Sequence, residues 1–303
     1  MYCYNSYNAA MQRLFGEKVY KLALSSGCSC PNRDGTLGSR GCSFCAEGSG
    51  DFTETGPIEA QLDAAKARVA AKFRGERYIA YFQSYTNTYG NAERLRQLYL
   101  PLLKRPDIAG ISIATRPDCL GDDVLALLAE LAAGKPLWVE LGLQTIHEHT
   151  AAAIRRGYPL PVFETAVEKL RAIGARVVVH VILGLPGESR EMMLETVRYV
   201  GQCGAEGIKL QLLHVLEGTD MAAHYAAGRL RVMEPEEYAA LLCDCLRCLP
   251  ADMVIHRLTG DGAKKRLIAP QWSGDKKRVL NLVRAALDAG DVVQGSLCQP
   301  SIR

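Results

Sequence analysis

Short apolar runs recur along the first two thirds of the chain, and each is followed by a longer amphipathic stretch. The runs are rich in Val, Ile, Leu and aromatic residues, which is typical of strands. They predict six strands, at residues 18–25, 78–84, 108–115, 137–143, 176–183 and 207–213. The run at 176–183 is almost continuously apolar, as expected of a parallel strand that is buried on both faces.

The stretches between the strands carry apolar residues at helical spacing. They predict helices at residues 57–73, 91–104, 122–133, 161–173 and 188–203. Strict alternation of strand and helix indicates an α/β fold with a parallel sheet, either doubly wound or closed into a full or partial barrel. Polar residues cluster where the strands end, and in a barrel those ends form the rim that binds ligands. We therefore expect a partial (β/α)6 TIM-like barrel.

The rhythm of the chain changes after residue 218. The later segment predicts helices at residues 236–249 and 277–289, with a strand at 252–257. We expect a lead-in at residues 1–17, the barrel at 18–218, and a C-terminal α-rich extension at 219–303 that packs on the barrel.

An irregular loop rich in Gly, Ser, Asn and Asp follows the first predicted strand, at residues 25–50. It holds Cys28, Cys30, Cys42 and Cys45, four of the eleven cysteines. Loops of this length are uncommon unless they are functional. Thiolates bind zinc or iron–sulfur clusters. A closed zinc site has four ligands, whereas three cysteines leave one iron of a four-iron cluster open to a ligand.

Composition and charge narrow the classes of protein only slightly. The net charge is +3, which permits a nucleic-acid partner without requiring one. The sequence shows neither a signal-peptide pattern nor a long apolar run, so we expect a cytoplasmic protein without a membrane partner. Cysteines in that compartment stay reduced and can bind metal.

The loop and several later motifs resemble the radical S-adenosylmethionine (SAM) enzymes. The cysteine pair has the pattern Cys-x-aromatic-Cys, as Cys42-Ser43-Phe44-Cys45, although the gap from Cys30 is wider than is usual in these enzymes. The whole set resembles the bacterial YhcC/YtqA-like group and, more remotely, the radical SAM domain of the Elongator catalytic subunit. The other motifs lie at residues 30–35, 115–118, 140–145, 256–261 and 294–295.

The resemblance implies cofactors and the residues that bind them. It assigns a 4Fe-4S cluster to Cys30, Cys42 and Cys45, and places the SAM adenine against Phe44. Arg156 matches an arginine that clamps the SAM carboxylate, and a guanidinium fork suits that group. The other residues that it places near SAM are Gln83, Ser84, Thr115, Arg116, Gln144, His180 and Gly184. From the sequence alone, His180 also fits an ordinary core histidine, and Arg156 an ordinary surface charge.

The resemblance also implies an activity. Such an enzyme reductively cleaves SAM to a 5′-deoxyadenosyl radical, with an electron donor such as flavodoxin or ferredoxin. The implied substrate is tRNA, at a wobble uridine whose carboxymethylaminomethyl side chain becomes aminomethyl. Two alternatives remain open: a radical SAM enzyme acting on a small metabolite or tetrapyrrole, and a non-enzymatic zinc-loop protein that binds RNA.

Two further groups of residues invite a functional interpretation. Cys243, Cys245 and Cys248 lie in a predicted helix whose rotation spreads them apart, so we expect buried thiols. Basic runs at residues 264–266 and 276–278 flank Trp272. They form either a solvated surface or an RNA-binding patch that uses phosphate contacts and base stacking.

Overall fold

The computed structural model describes residues 3–46, 56–260 and 264–298. Its strands are β1 (Tyr20–Leu24), β2 (Tyr78–Phe82), β3 (Ile108–Thr115), β4 (Leu137–Gln144), β5 (Arg176–Leu183), β6 (Gly207–Leu212), β7 (Val215–Leu216), β8 (Val254–Arg257) and β9 (Leu267–Ala269). Its α-helices are α1 (Tyr7–Phe15), α2 (Ile58–Val69), α3 (Ala92–Tyr99), α4 (Asp122–Gly134), α5 (Glu148–Ala153), α6 (Leu160–Ala172), α7 (Arg190–Gln202), α8 (Asp220–Ala226), α9 (Pro235–Cys248) and α10 (Lys276–Ala289).

Seven of these strands form one parallel sheet in the order β1-β2-β3-β4-β5-β6-β8. Side chains from distant strands meet on its inner face: Lys21 on β1 and Lys209 on β6 both bond to Glu140 on β4. Only a curled sheet allows this contact. The sheet is therefore a half-barrel with helices around it, which confirms the predicted partial TIM-like barrel.

The six predicted strands are all present, with ends that differ from the prediction by at most two residues. Their neighbours in sequence are also their neighbours in the sheet, as expected of a right-handed α/β winding. The apolar run of β5 explains its central place, because Val177, Val179 and Leu183 are completely buried.

The C-terminal segment contributes a strand to this sheet. The strand expected at residues 252–257 is β8, and it pairs in parallel with β6, where Ile208 faces Ile255. Helix α9 packs against α7 and α10. The sheet is consequently continuous across residue 218, and the seventh strand comes from beyond the predicted barrel.

The lead-in is more ordered than the sequence indicated. Residues expected to be a polar lead-in form α1, where Ser6 accepts a hydrogen bond from the Ala9 amide and Gly16 ends the helix with a φ of 75°. Both are ordinary helix-end signals. Ser6 also forms a bridge with Ile255 of β8, so α1 is fixed to the far edge of the sheet.

Candidate active site

The loop after β1 folds over the carboxyl ends of the strands. Its described part is held to the segment after α5, since Asn32 donates from Nδ2 to the Arg155 carbonyl at 2.7 Å and the Ser43 amide donates to the Ile154 carbonyl at 3.0 Å. Residues 47–50 of the predicted loop lie outside the described residues. The anchoring brings the cysteines to the rim of the half-barrel, as the order of elements predicts.

Three of the four loop cysteines face a common cavity. Cys30, Cys42 and Cys45 line a cavity of about 330 Å³ at the rim. Cys28 points away from it into the hydrophobic core, where Arg94 donates to its Sγ at 3.5 Å. The geometry thus separates the three thiols named by the resemblance from the spare one.

The thiols at the cavity influence one another. Burial raises the pKa of Cys42 to about 11, and neighbouring Cys45 and Cys30 add to the effect, while Asn32 and Arg116 oppose it. In the part of the chain that the structure describes, no three Cys, His, Asp or Glu side chains converge on a single metal ion. Three thiols that line one cavity suit an iron–sulfur cluster, because cysteine thiolates bind its irons.

The cavity also brings together most of the side chains that the sequence places near a cofactor. Phe44 packs against the apolar group that includes Ile182 and Leu213, so it forms a flat wall. Gly184 is not part of the lining, and its amide faces the Met193 sulfur. The other predicted residues on the lining are Gln83, Ser84, Thr115, Arg116, Gln144, Arg156 and His180.

Gln144 is the rim residue whose geometry points most directly to a ligand. It ends β4 at a register shift, with a left-handed φ of 69°. Its Oε1 is buried, and no hydrogen-bond partner for it lies among the described residues. Such strain and an unsatisfied acceptor are costly, and they concentrate at functional sites. A donor on a bound cofactor would satisfy this oxygen.

The backbone beside the rim is strained at a second strand end. Ser84 and Tyr85, which follow Gln83 just beyond β2, have φ values of 66° and 60°. Both residues line the cavity. Gln83, the residue before them, lines the cavity as well.

Arg156 stabilises the backbone at the edge of this site through hydrogen bonds. Its side chain is buried, and it donates to the carbonyls of Tyr158 at 2.9 Å and Thr145 at 2.6 Å and to the Glu148 carboxylate at 3.0 Å. These bonds fix the segment that anchors the cysteine loop. Its role as a clamp for the SAM carboxylate stays a prediction, and the structure adds a positioning role.

Arg116 works in the same network. It pairs with Asp118 through two hydrogen bonds, at 2.9 and 2.7 Å, and donates to the Arg156 carbonyl at 2.9 Å. Arg116 and Arg156 both lie over the ring of Tyr158, with guanidinium carbons 5.1 and 4.9 Å from its centroid. The two arginines hold each other and the rim in place.

A charged cluster that the sequence analysis did not identify adjoins the cavity, and two of its members, Glu140 and His180, line the cavity wall. Glu140 on β4 is buried and accepts hydrogen bonds from Lys21 at 2.9 Å and Ser112 at 2.8 Å through Oε1, and from His180 at 2.8 Å and Lys209 through Oε2. The sequence did carry a signal for this cluster. A charged residue at an inward position of an apolar strand costs free energy unless it is paired, so such residues indicate charged partners nearby. We call these five residues the floor cluster.

The floor cluster has unusual protonation behaviour. Burial alone would raise the pKa of Glu140, but Lys209 and Lys21 hold it well below its usual range. Burial lowers the pKa of Lys209 to about 7, although Glu140 opposes this shift. Burial also lowers the pKa of His180 to about 4, with a contribution from Lys209. At neutral pH, His180 is therefore neutral and Glu140 is ionised.

The structure also places the motif at residues 256–261 and the Trp272 side chain, which the sequence analysis singled out. Arg257 and Gly260, from the motif at residues 256–261, line the cavity, whereas Asp261 lies outside the described residues. Trp272 is committed to packing, because its indole donates to the Met233 carbonyl at 3.0 Å and its ring contacts Tyr238. The RNA-binding patch between the two basic runs stays a prediction, and the Trp272 ring is partly buried by this packing.

The later cysteines behave as expected of structural thiols. Cys243, Cys245 and Cys248 are buried on α9, which confirms that prediction. In the described ranges, no helix is long and apolar enough to cross a membrane.

Comparison with known proteins identifies the family. The profile described as "Radical SAM superfamily" matches residues 34–200, and the profile "Radical_SAM C-terminal domain" matches residues 205–289. The chain belongs to the radical SAM superfamily.

Individual relatives agree with this assignment. YtqA of Bacillus subtilis (strain 168) is 45% identical over 98% of this chain and 93% of its own length, and YhcC of Escherichia coli (strain K12) is 39% identical over 88% and 87%. A tRNA uridine(34) acetyltransferase of Dehalococcoides mccartyi (strain CBDB1) is 29% identical over 50% of this chain and 33% of its own. The solved structure of Elp3 from Methanocaldococcus infernus has the same fold, with a TM-score of 0.68 at 16% identity, covering 91% of this chain and 64% of that one.

Radical SAM enzymes use a 4Fe-4S cluster and SAM, which together supply one-electron chemistry that abstracts hydrogen from a substrate. The residues of this chain fit those groups. Cys30, Cys42 and Cys45 would hold the cluster, and Phe44 and Gln144 would contact SAM.

The remaining residues of the radical SAM site position its rim and set its charge. The anchored loop lines one side of the cavity with Cys30, Cys42 and Cys45. Arg116 and Arg156 fix the rim. Glu140 is saturated with donors, so it holds a fixed negative charge and does not supply a proton.

Proposed function

We propose that this radical SAM enzyme modifies tRNA at a wobble uridine, converting a carboxymethylaminomethyl side chain to aminomethyl. The observation that carries the tRNA part is the similarity to a tRNA uridine(34) acetyltransferase, which spans half of this chain. The proposal assigns the cluster to Cys30, Cys42 and Cys45. It also names a low-potential electron donor such as flavodoxin or ferredoxin, because the reaction begins with a one-electron reduction.

The size and charge of the cavity support a substrate of this kind. A volume of about 330 Å³ lies at the lower end of ligand pockets, but the cavity is open at the rim, so a base from a folded RNA could enter beside the cofactor. Arg33 also lines the cavity, and a cationic side chain there favours a phosphate backbone nearby.

The first experiment tests the radical SAM activity. The protein is reconstituted without oxygen with iron and sulfide, then given SAM and a reductant, and deoxyadenosine is measured. We expect deoxyadenosine from the wild type and from Cys28→Ala, and none from Cys42→Ala. Cys28 is the matched control because it lies in the same loop but faces the core. Equal activity of all three proteins would contradict the assignment of the cluster.

The second experiment tests the substrate. Reconstituted enzyme is incubated with tRNA from cells that lack it, and the wobble nucleosides are analysed. We expect carboxymethylaminomethyluridine to fall and aminomethyluridine to rise. Unchanged nucleosides together with continued formation of deoxyadenosine would favour a small-molecule substrate. A colourless protein with stoichiometric zinc would instead favour the zinc-loop alternative.

A further inference from the structure

Thr86 carries a buried hydroxyl at the wall of the cavity. The residue is 1% exposed, it lines the cavity, and no hydrogen-bond partner for its Oγ1 lies among the described residues. The sequence analysis did not single it out. A buried hydroxyl without a partner costs free energy, so its presence beside a ligand cavity indicates a partner that binds there.

Thr86 lies beside the first of the three cysteines that line the cavity. Its amide donates to the carbonyl of Ser29 at 3.2 Å, and Ser29 directly precedes Cys30 in the chain. Cys30 and Thr86 line the same cavity. Thr86 is therefore on the side of the cavity where the thiolate of Cys30 would hold the cluster.

The segment that carries Thr86 is held on both sides. Asn87 donates from Nδ2 to the Ala114 carbonyl of β3 at 2.8 Å, and its Oδ1 accepts from the Ser26 hydroxyl at 2.7 Å. The Tyr99 hydroxyl donates to the Asn87 carbonyl at 2.6 Å. These bonds fix the backbone at Thr86, so its hydroxyl has a defined place before any ligand binds.

The threonine two residues further along the chain has the partners that Thr86 lacks. Thr88 Oγ1 donates to the Cys119 carbonyl at 2.6 Å and shares a hydrogen bond with Thr115 Oγ1. A hydroxyl can donate a hydrogen bond as well as accept one. The sulfur atoms of an iron–sulfur cluster are acceptors, and hydrogen bonds to them help to set its reduction potential.

We propose that the Thr86 hydroxyl donates a hydrogen bond to a sulfur atom of the cluster beside Cys30, either the thiolate or an adjacent sulfide. This inference rests on the proposed function, in which Cys30, Cys42 and Cys45 hold the cluster. The bond stabilises the reduced cluster more than the oxidised one, because the reduced cluster is more negative. Thr86 thereby raises the reduction potential and makes the cluster easier to reduce by its electron donor.

A redox titration of the reconstituted protein, followed by electron paramagnetic resonance of the reduced cluster, tests the inference. Thr86→Val keeps the shape of the side chain and removes the hydroxyl. We expect it to lower the equilibrium constant for reduction about tenfold, which is about 59 mV in midpoint potential. Thr86→Ser retains the hydroxyl and should keep the wild-type potential. Equal potentials of wild type and Thr86→Val, or the same loss in Thr86→Ser, would overturn the inference.

Thermal unfolding of the cluster-free protein supplies a second test. Thr86→Val should unfold at the same temperature as the wild type or at a higher one, because the hydroxyl that it removes has no protein partner. Thr196→Val is the matched control: Thr196 is also 1% exposed and does not line the cavity, but its Oγ1 accepts from the Ile146 amide at 3.3 Å. This control should unfold at a lower temperature and keep the wild-type potential. Equal destabilisation of the two variants would count against the inference, since the Thr86 hydroxyl would then have a structural partner.

Binding of SAM to the oxidised holoenzyme separates the cluster from the other ligand of the cavity. We expect Thr86→Val to bind SAM with wild-type affinity. Weaker binding of SAM at an unchanged potential would contradict the inference and assign the hydroxyl to SAM. A wild type that takes up no cluster would overturn the cluster assignment as well, whereas equal potentials in two loaded proteins overturn this inference alone.

Discussion

At the scale of single residues, the direction in which a side chain points decides its role at this site. Cys28 and Cys30 are separated by one residue, yet one enters the core and the other lines the cavity. In an extended segment, alternate residues usually share a face, so the irregular backbone of the loop is what separates them. The resemblance predicts Cys30 as a cluster ligand, and its position on the cavity is consistent with that prediction.

Replacing each loop cysteine should give two kinds of result. Cys30→Ala, Cys42→Ala and Cys45→Ala should each lose the broad visible absorbance of the cluster after reconstitution, because a thiolate ligand is missing. Cys28→Ala should keep that absorbance and lose about 1 kcal/mol of unfolding free energy through weaker packing. Absorbance spectra and urea unfolding measure the two effects, and a colourless Cys28→Ala would contradict the assignment.

His180 should make the protein sensitive to acid. Its folded pKa of about 4 lies below its ordinary value, so the unfolded chain takes up a proton that the folded chain does not. The stability that depends on neutral His180 is therefore present above about pH 6.5 and is lost as the pH falls towards about 4, by about 2 to 3 kcal/mol.

The matched variant for this effect is His180→Gln. It should unfold more easily than the wild type at pH 7, because the substitution alters the hydrogen bond to Glu140. Its free energy of unfolding should nevertheless fall less when the pH is lowered. Urea unfolding of both proteins at several pH values measures the difference. Parallel pH curves would show that His180 has no depressed pKa.

At the scale of elements, the cysteine loop depends on the segment between α5 and α6. Gly157 has a φ of 85°, and a Cβ atom there would lie 2.8 Å from Asn32 Oδ1 and 3.1 Å from Arg116 Nη2. Asn32 is the side chain that anchors the loop and donates to the Cys42 sulfur at 3.4 Å. Gly157 is thus needed for both its backbone conformation and its lack of a side chain.

Gly157→Ala should therefore displace the loop. We expect a loss of about 2 to 4 kcal/mol and poorer cluster reconstitution, because backbone strain and a clash with the anchor add together. Gly174→Ala is the matched control: its φ is 76°, but a Cβ would meet no atom within 4 Å. It should lose about 1 kcal/mol and reconstitute normally. Equal reconstitution of the two variants would contradict the anchoring role.

At the scale of the whole molecule, the extension completes the sheet. β8 covers the edge of β6 through pairs such as Ile208 with Ile255, and α9 packs on α7. We propose that residues 219–303 form a structural extension of the barrel and not a domain that folds independently. An exposed apolar edge strand is a template for aggregation.

A fragment of residues 1–218 should accordingly be insoluble or aggregate. Co-expression with residues 219–303 as a second chain should restore soluble protein, because β8 can then pair with β6. Size-exclusion chromatography and thermal unfolding test this. A monomeric fragment with a cooperative transition would show that the barrel does not need β8.

Much of the architecture followed from local patterns. Apolar runs such as β5 and the intervening helices were predictable, since burial imposes a period on the sequence. The helix α1 was missed although Ser6 and Gly16 mark its ends, because polar residues masked its apolar face. The place of β8 beside β6 was also not predictable, since four residues carry too little pattern to specify a partner strand.

The sequence by itself determined the strand–helix winding, the cysteine loop and, by resemblance, the family of cofactors. The tertiary structure alone decided which side chains share the cavity. It buried Cys28, committed Arg156 and Trp272 to the scaffold, and assembled Glu140 with Lys21 and Lys209. The reason is physical: local periodicity reports which face of an element is buried, whereas a cluster drawn from five strands depends on how far the sheet curls.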